Sequence, residues 1–360
     1  MLPRYQELSR IEGSRGCNPN YASARIHGGV LVSLDTYARD LGHDLLQVIN
    51  ELGLSFGAPS QWGGQYVSQV DFGHLLDELS VRVDDPCLGL NWCTRRPVSR
   101  ERLIGLAARY APTPLEALQM IARFLSIAID TRRCEVEQEG DEVSLVWSFS
   151  PLLVRPEHLS DGLAAEFSSC FREEFGRSGC APVRVELARR QPKVRGYYGS
   201  ILGAPVQFEA RSNRLVFSTP AMLRRNGAAD PMLYDALVEL CARRFADLQE
   251  HKDFVSQVSD VILARIDDVD LNLEVAAREL GMSPRVLQRK LAEKSATFQD
   301  LYDRMRRELA SELLRNTTVP ISEIAYRLGF SAVGNFTRAA KRWYGVPPKR
   351  WRHTQAGAAG

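Results

Sequence analysis

Ile324-Ala-Tyr-Arg-Leu-Gly-Phe-Ser331 and, 48 residues earlier, Ala276-Ala-Arg-Glu-Leu-Gly-Met-Ser283 are two copies of one pattern. Each reads as the end of a short helix, a glycine and then a serine. Gly281 and Gly329 fall where a left-handed residue stops a helix, a conformation that glycine adopts without steric cost. Ser283 and Ser331 stand where a side-chain oxygen can accept from the free amides of the next helix. Pro284 takes the first helical position, where a missing N–H costs nothing. The pattern predicts a helix-turn-helix that occurs twice.

The helix after each turn is expected over 283–293 and 331–344. Leu287 and Leu291 point inward in the first, Phe336, Ala340 and Trp343 in the second. The opposite face of the first carries Arg285, Gln288 and Arg289 at the i, i+3, i+4 spacing that groups side chains on one side. Arg can pair bidentately with guanine and Gln with adenine in the major groove. Ser331, Asn335, Thr337, Arg338 and Lys341 hold the comparable outer positions of the second helix, and setting Leu287 on Phe336 makes the second turn one residue longer.

Between the units, Thr297-Phe-Gln-Asp300 reads as a helix start. Phe298, Leu301, Met305, Leu309 and Leu313 continue it as an apolar stripe to about residue 315. Such a rod is long enough to hold two recognition helices in adjacent major-groove segments on one side of a duplex. Arg304, Arg306, Arg307, Lys349, Arg350 and Arg352 are the expected phosphate partners.

Charge agrees with this division. The 360 residues carry 46 Lys and Arg against 44 Asp and Glu, a net +2. Residues 271–360 hold 16 and 8 of these, a net +8, and residues 1–270 hold 30 and 36, a net −6. An acidic body thus bears a basic, polyanion-seeking end. With 44% hydrophobic and 25% charged residues the chain has globular composition, and its length suits two domains. No apolar run reaches the roughly 18 residues of a membrane span. A soluble, cytoplasmic protein is expected. The seven cysteines are scattered and never form Cys-x-x-Cys, which points to buried thiols rather than a disulfide framework or a zinc site.

In the acidic body, helical spacing covers 33–57 and 71–90. A further helix from Thr113 to Ile129 is capped by Thr113 and opened by Pro114. Arg133 to Ser150 alternates about a turn at Gly140-Asp141 and reads as a hairpin. A helix over 161–174 and strands over 183–187, 206–208 and 215–217 complete an α+β domain. Phe124, Trp147, Phe149, Phe167 and Phe171 are candidates to enclose an apolar ligand, with Arg123 or His158 meeting a carboxylate. Asp230-Pro231 opens a helix whose Leu233, Leu237, Leu240 and Leu248 run in near-heptad register. That helix suits pairing with a second subunit or packing on its own domain.

Residues 253–353 resemble the DNA-binding domain of the AraC/XylS family of bacterial transcription regulators. The most specific stretch is Ile324 to Ser331, followed by Asn335-Phe-Thr-Arg338 and Lys341-Arg-Trp-Tyr-Gly-Val-Pro-Pro348. Ala340 departs from the family pattern, in which a large aromatic is usual. Cys87-Leu-Gly-Leu90, Pro114-Leu-Glu-Ala-Leu118, Leu202-Gly-Ala-Pro-Val-Gln-Phe208 and Asn213-Arg-Leu-Val-Phe217 resemble the arabinose-binding-type sensory domain of one branch of that family.

The resemblance implies an α+β effector domain followed by an all-α domain with two helix-turn-helix units joined by a long helix. The expected layout is a tail to 24, an effector and dimerisation domain over 25–228, a connecting helix over 229–252, the DNA-binding domain over 253–353 and a flexible tail over 354–360. Double-stranded DNA, RNA polymerase, a small-molecule effector and a second copy of the chain are the implied partners, and no cofactor or metal is implied. A DNA alkyl-transfer repair enzyme can carry the same helical pair, yet no cysteine here has the His neighbour that would activate it. A regulator that responds to no effector, in which the body only dimerises or meets another protein, is the remaining alternative.

Overall fold

The computed structural model describes residues 24–95, 103–175, 180–194, 196–250 and 253–357. They form two compact units, one holding Ala24–Phe149 and Arg155–Glu250, the other built on the residues from 253 onward.

The first unit begins with β1 (Arg25–His27), α1 (Gly29–Asp40), α2 (Leu45–Glu51), β2 (Tyr66–Ser68), α3 (Gln69–Arg82), α4 (Leu88–Arg95), α5 (Leu103–Tyr110) and α6 (Pro114–Phe124). The helices expected over 33–57 and 71–90 are each broken in two. Gly42 at φ 81° ends α1, and Asp44 caps α2 by accepting from the Leu46 amide at 2.9 Å. Asp84 at φ 52° separates α3 from α4. Thr113 caps α6 as anticipated, accepting from the Glu116 amide at 3.2 Å. This cap is local chemistry, and it was readable for that reason.

The hairpin of β3 (Arg133–Glu139) and β4 (Glu142–Ser148) turns at Gly140-Asp141 and leads to α7 (Glu157–Glu174). Then come β5 (Arg184–Glu186), α8 (Tyr197–Leu202), β6 (Val206–Gln207), β7 (Asn213–Ser218), α9 (Thr219–Met222) and α10 (Pro231–Glu250). The larger sheet runs β3-β4-β7-β5-β6, antiparallel except for the β5–β6 pair. Leu145, Trp147, Leu215, Phe217 and Val185 are fully buried along it. α10 starts at Asp230, whose carboxylate accepts from the Leu233 amide at 3.1 Å. It packs on α5 and α6 and belongs to this unit rather than standing apart as a connector.

The tightest helix pair is α4 against α7. Two glycines allow it: a Cβ on Gly89 would overlap the His158 carbonyl, and one on Gly162 would lie 2.8 Å from the Cys93 sulfur. The Cys87-Leu-Gly-Leu90 motif is thus a close-approach site for backbone.

Among the described residues from 253 onward, every regular element is a helix: α11 (Phe254–Ala264), α12 (Leu273–Glu279), α13 (Pro284–Ala292), α14 (Phe298–Asn316), α15 (Ile321–Arg327), α16 (Val333–Tyr344) and α17 (Pro348–Gly357). α12 with α13 and α15 with α16 are the two helix-turn-helix pairs, and α14 lies between them in the chain. Its 19 residues make a rod of about 28 Å. Phe298, Leu301, Met305, Leu309 and Leu313 are all buried, as their spacing predicts.

Candidate nucleic-acid interface and a cavity in the first unit

In the first reader, Gly281 at φ 65° ends the turn after α12, and Ser283 caps α13 by accepting from the Val286 amide at 3.4 Å. Leu287 and Leu291 are buried, which turns Arg285, Gln288 and Arg289 outward, and all three are exposed. Ser283 is exposed at the amino end of the same helix.

The second reader is built differently. α16 starts at Val333 with Ala332 in the cap position and no side-chain cap. Ser331, expected to cap, stands one residue too early and does not. Its Oγ instead accepts from the Asn335 Nδ2 at 3.2 Å, and the Asn335 Oδ1 accepts from an Arg338 Nη2 at 2.6 Å. A chain of polar contacts thus runs along the outer face and holds the Arg338 guanidinium, which stays exposed. Lys341 is also exposed, whereas Thr337 is half-buried and donates to the Val333 carbonyl at 2.9 Å. Ala340 is fully buried, and Phe330, Phe336 and Trp343 pack on one another with centroids 5.6 to 6.5 Å apart.

Two of the expected phosphate partners serve the scaffold. Arg306 is sandwiched between the rings of Tyr302 and Phe330, 3.8 and 4.3 Å from their centroids, and donates to the Gly329 carbonyl at 2.8 Å. Burial pushes its pKa below the ordinary guanidinium value. Arg352 donates to the Val319 carbonyl at 2.6 Å, and burial lowers its pKa in the same way. Arg307, Lys349 and Arg350 are exposed and suited to phosphate, while Arg304 is half-buried. α14 is tied to the second reader by Asp303, which accepts from Arg342 and from the Trp343 Nε1, and by the Tyr344 hydroxyl, which donates to the Arg307 carbonyl at 2.7 Å.

In the first unit a cavity of about 90 Å³ lies against one face of α7. His158, Gly162, Glu166 and Phe167 come from that face, Trp92 and Cys93 from α4, Ile104 from α5, and Ile26 from β1. Of the residues expected to enclose a ligand, only Phe167 and His158 line it. Phe124 is buried against Phe245 of α10, with centroids 6.0 Å apart, and the exposed Arg123 stacks on Phe124. Trp147 is fully buried on the sheet, and Phe171 packs on Phe217 at 5.0 Å. Phe149 is buried elsewhere. Aromatic content alone could not separate these core rings from cavity walls, because packing demands the same residues.

The polar lining is small. The His158 Nδ1 accepts from the Gly89 amide at 3.4 Å, and its Nε2 lies 3.9 Å from an Asp77 oxygen. Burial, with Arg189 and Arg155 nearby, pushes its pKa down to about 4, so the ring is neutral at pH 7. It cannot supply the positive charge that a carboxylate would need. Glu166 is buried, two helical turns further along. Its sequence signal is the i, i+4, i+8 spacing of His158, Gly162 and Glu166 along one side of α7.

Two readers with outward polar faces, braced by a long helix and joined in sequence to an α+β unit, define a DNA-binding regulator with a sensory domain. The arabinose-binding domain of AraC transcription regulators matches residues 42–226, and a helix-turn-helix domain matches residues 276–354. The chain belongs to the AraC family of transcription regulators. It is 38% identical over 317 residues to the VirS regulator of Mycobacterium tuberculosis, covering 87% of this chain and 92% of VirS. It is 28% identical over 297 residues to the ornithine utilization regulator of Pseudomonas aeruginosa, covering 79% of this chain and 84% of that protein. The crystal structure of the transcriptional regulator CdpR from Pseudomonas aeruginosa aligns over 86% of this chain and 96% of its own, at 22% identity and a TM-score of 0.40. All three are named as regulators. No described helix is long and apolar enough to cross a membrane.

Proposed function

We propose that the chain is an effector-responsive, sequence-specific regulator that acts in the cytoplasm as a homodimer on promoter DNA, together with RNA polymerase. The observation that carries this reading is the pair of outward polar faces on α13 and α16. Arg285, Gln288 and Arg289 on the first and Asn335 and Arg338 on the second are assigned to base edges. Ser283, Ser331, Thr337 and Lys341 are assigned to the flanking backbone. The α7 cavity is assigned to the effector, whose unequal affinity for two states of the protein would set DNA binding. Met232 and Leu240, 84% and 47% exposed on α10, are assigned to the dimer contact.

Selection of bound duplexes from a random pool by the full chain tests the DNA reading. Two short motifs about one helical turn apart are expected, because each subunit would fill adjacent groove segments. One uninterrupted motif, or capture without sequence preference, would count against it. Light scattering on a Met232→Glu, Leu240→Glu double variant tests the dimer. Loss of dimer mass is expected, and an unchanged mass removes α10 from the contact.

A further inference from the structure

Arg289 and Arg338 correspond when Leu287 is set on Phe336, yet their surroundings differ. Ser331, Asn335 and Arg338 stand at i, i+4 and i+7, along one side of α16 and the turn before it. The Asn335 side chain is half-buried and hydrogen-bonded through both of its polar atoms. Its Nδ2 donates to the Ser331 Oγ at 3.2 Å, and its Oδ1 accepts from the Arg338 Nη2 at 2.6 Å. Phe336, the next residue, is fully buried and fixes the rotation of the helix beneath them. In the first reader Met282 and Val286 occupy the places of Ser331 and Asn335, and neither carries an amide that could hold Arg289. The Asn335 contact engages one Nη of Arg338, so the guanidinium keeps donors for a pair of acceptors on a base. O6 with N7 of guanine is the pair that fits. An unbraced Arg loses rotamer entropy when it docks, and it can swing from an unmatched base to a phosphate. A braced one is ordered beforehand and leaves its place only by breaking the brace.

We propose that Ser331 and Asn335 are positioning residues for Arg338, and that the second reader's demand for a G·C pair is set by this chain rather than by the Arg alone. The step rests on the base-reading role given to Arg338 above. Ser331 shapes base preference without touching a base. Its oxygen accepts from Asn335 while its own hydrogen stays free for the DNA backbone, because a hydroxyl is donor and acceptor at once. Asn335 likewise keeps its other Nδ2 hydrogen for a base edge.

The test uses the full chain and the duplex selected from the random pool. The G·C pair whose preference Arg338→Ala abolishes is identified first. Kd is then measured on the selected duplex and on one with that pair exchanged for A·T, and the ratio of the two is compared among variants. Ser331→Ala is expected to lower this ratio about fivefold, the worth of one hydrogen bond, with the denaturant midpoint and the ratios in the other motif unchanged. A uniform loss from the Ser331 backbone contact cancels in the ratio. Ser331→Thr, which keeps the hydroxyl, is expected to retain the full ratio. A ratio untouched by Ser331→Ala, one lowered equally in both motifs, one lowered together with the midpoint, or one that Thr lowers as Ala does overturns the positioning role and leaves Arg338 a base reader. If Arg338→Ala abolishes no base preference, the base-reading role of Arg338 fails, and the positioning role falls with it.

Discussion

In the first reader Ser283 caps its own helix, and a Cβ added to Gly281 would meet no atom within 4 Å. In the second, Ser331 caps nothing, and a Cβ on Gly329 would stand 2.6 Å from the Ile266 carbonyl and 3.1 Å from Arg306. The first turn is a self-sufficient local structure. The second is wedged between the α11–α12 connection and a cation sandwiched by two rings. Their outer faces differ likewise: Ser331, Asn335 and Arg338 are linked in a chain, while Arg285, Gln288 and Arg289 project from the helix without such a brace. Two copies of one sequence pattern have therefore become a reader whose turn stands clear of its neighbours and a reader whose turn is locked into the scaffold.

Substitutions at the two turns should separate these roles most sharply. Gly329→Ala is expected to cost about 3 kcal/mol or more, because it adds backbone overlap to the strain of a positive φ. Gly281→Ala should cost only about 1 to 2 kcal/mol, from φ alone. Denaturant unfolding of the two variants measures the difference, and equal losses would erase the distinction between the turns. Next comes Arg306→Leu, which leaves the Gly329 carbonyl without its donor and should cost about 2 kcal/mol of stability. Lowered DNA affinity with unchanged stability would return Arg306 to the phosphate set.

On DNA, Arg289→Ala and Arg338→Ala are each expected to cost about 1 to 3 kcal/mol on a selected site and little on random duplex. The comparison adds a finer expectation. Asn335→Ala and Arg338→Ala should be non-additive in a double-mutant cycle, while Gln288→Ala and Arg289→Ala should add. Binding titrations of the singles and doubles decide it. The smallest effects belong to the serines. Ser283→Ala should lose about 1 kcal/mol of stability as a cap, and Ser331→Ala should stay within about 0.5 kcal/mol.

How much of this was readable from the chain depends on how far each effect reaches. Thr113, Asp230, Ser283 and Thr297 act on amides within three residues, and each caps its helix as read. Ser331 does not cap, because the second turn is one residue longer, a shift that moves its side chain out of reach of the amides. Apolar spacing over 33–57 and 71–90 continues past Gly42 and Asp84, where the backbone turns left-handed and divides each stretch into two helices. Arg306 and Arg352 carried the charge expected of phosphate ligands, and nothing near them in sequence announced that carbonyls and rings would claim them.

By itself the sequence determined the order of elements, the twofold reader pattern, the outward faces of α13 and α16 and the buried stripe of α14. These follow from periodicity and short-range hydrogen bonding, which neighbouring residues specify among themselves. Only the tertiary structure decided which basic residues became struts, which glycine must stay a glycine and where the cavity lies. Those outcomes depend on groups brought together from distant parts of the chain: Ile26, Trp92 and Phe167 at one wall, or Ile266 and Gly329 at one turn. Packing in three dimensions creates such contacts, and local spacing does not encode them.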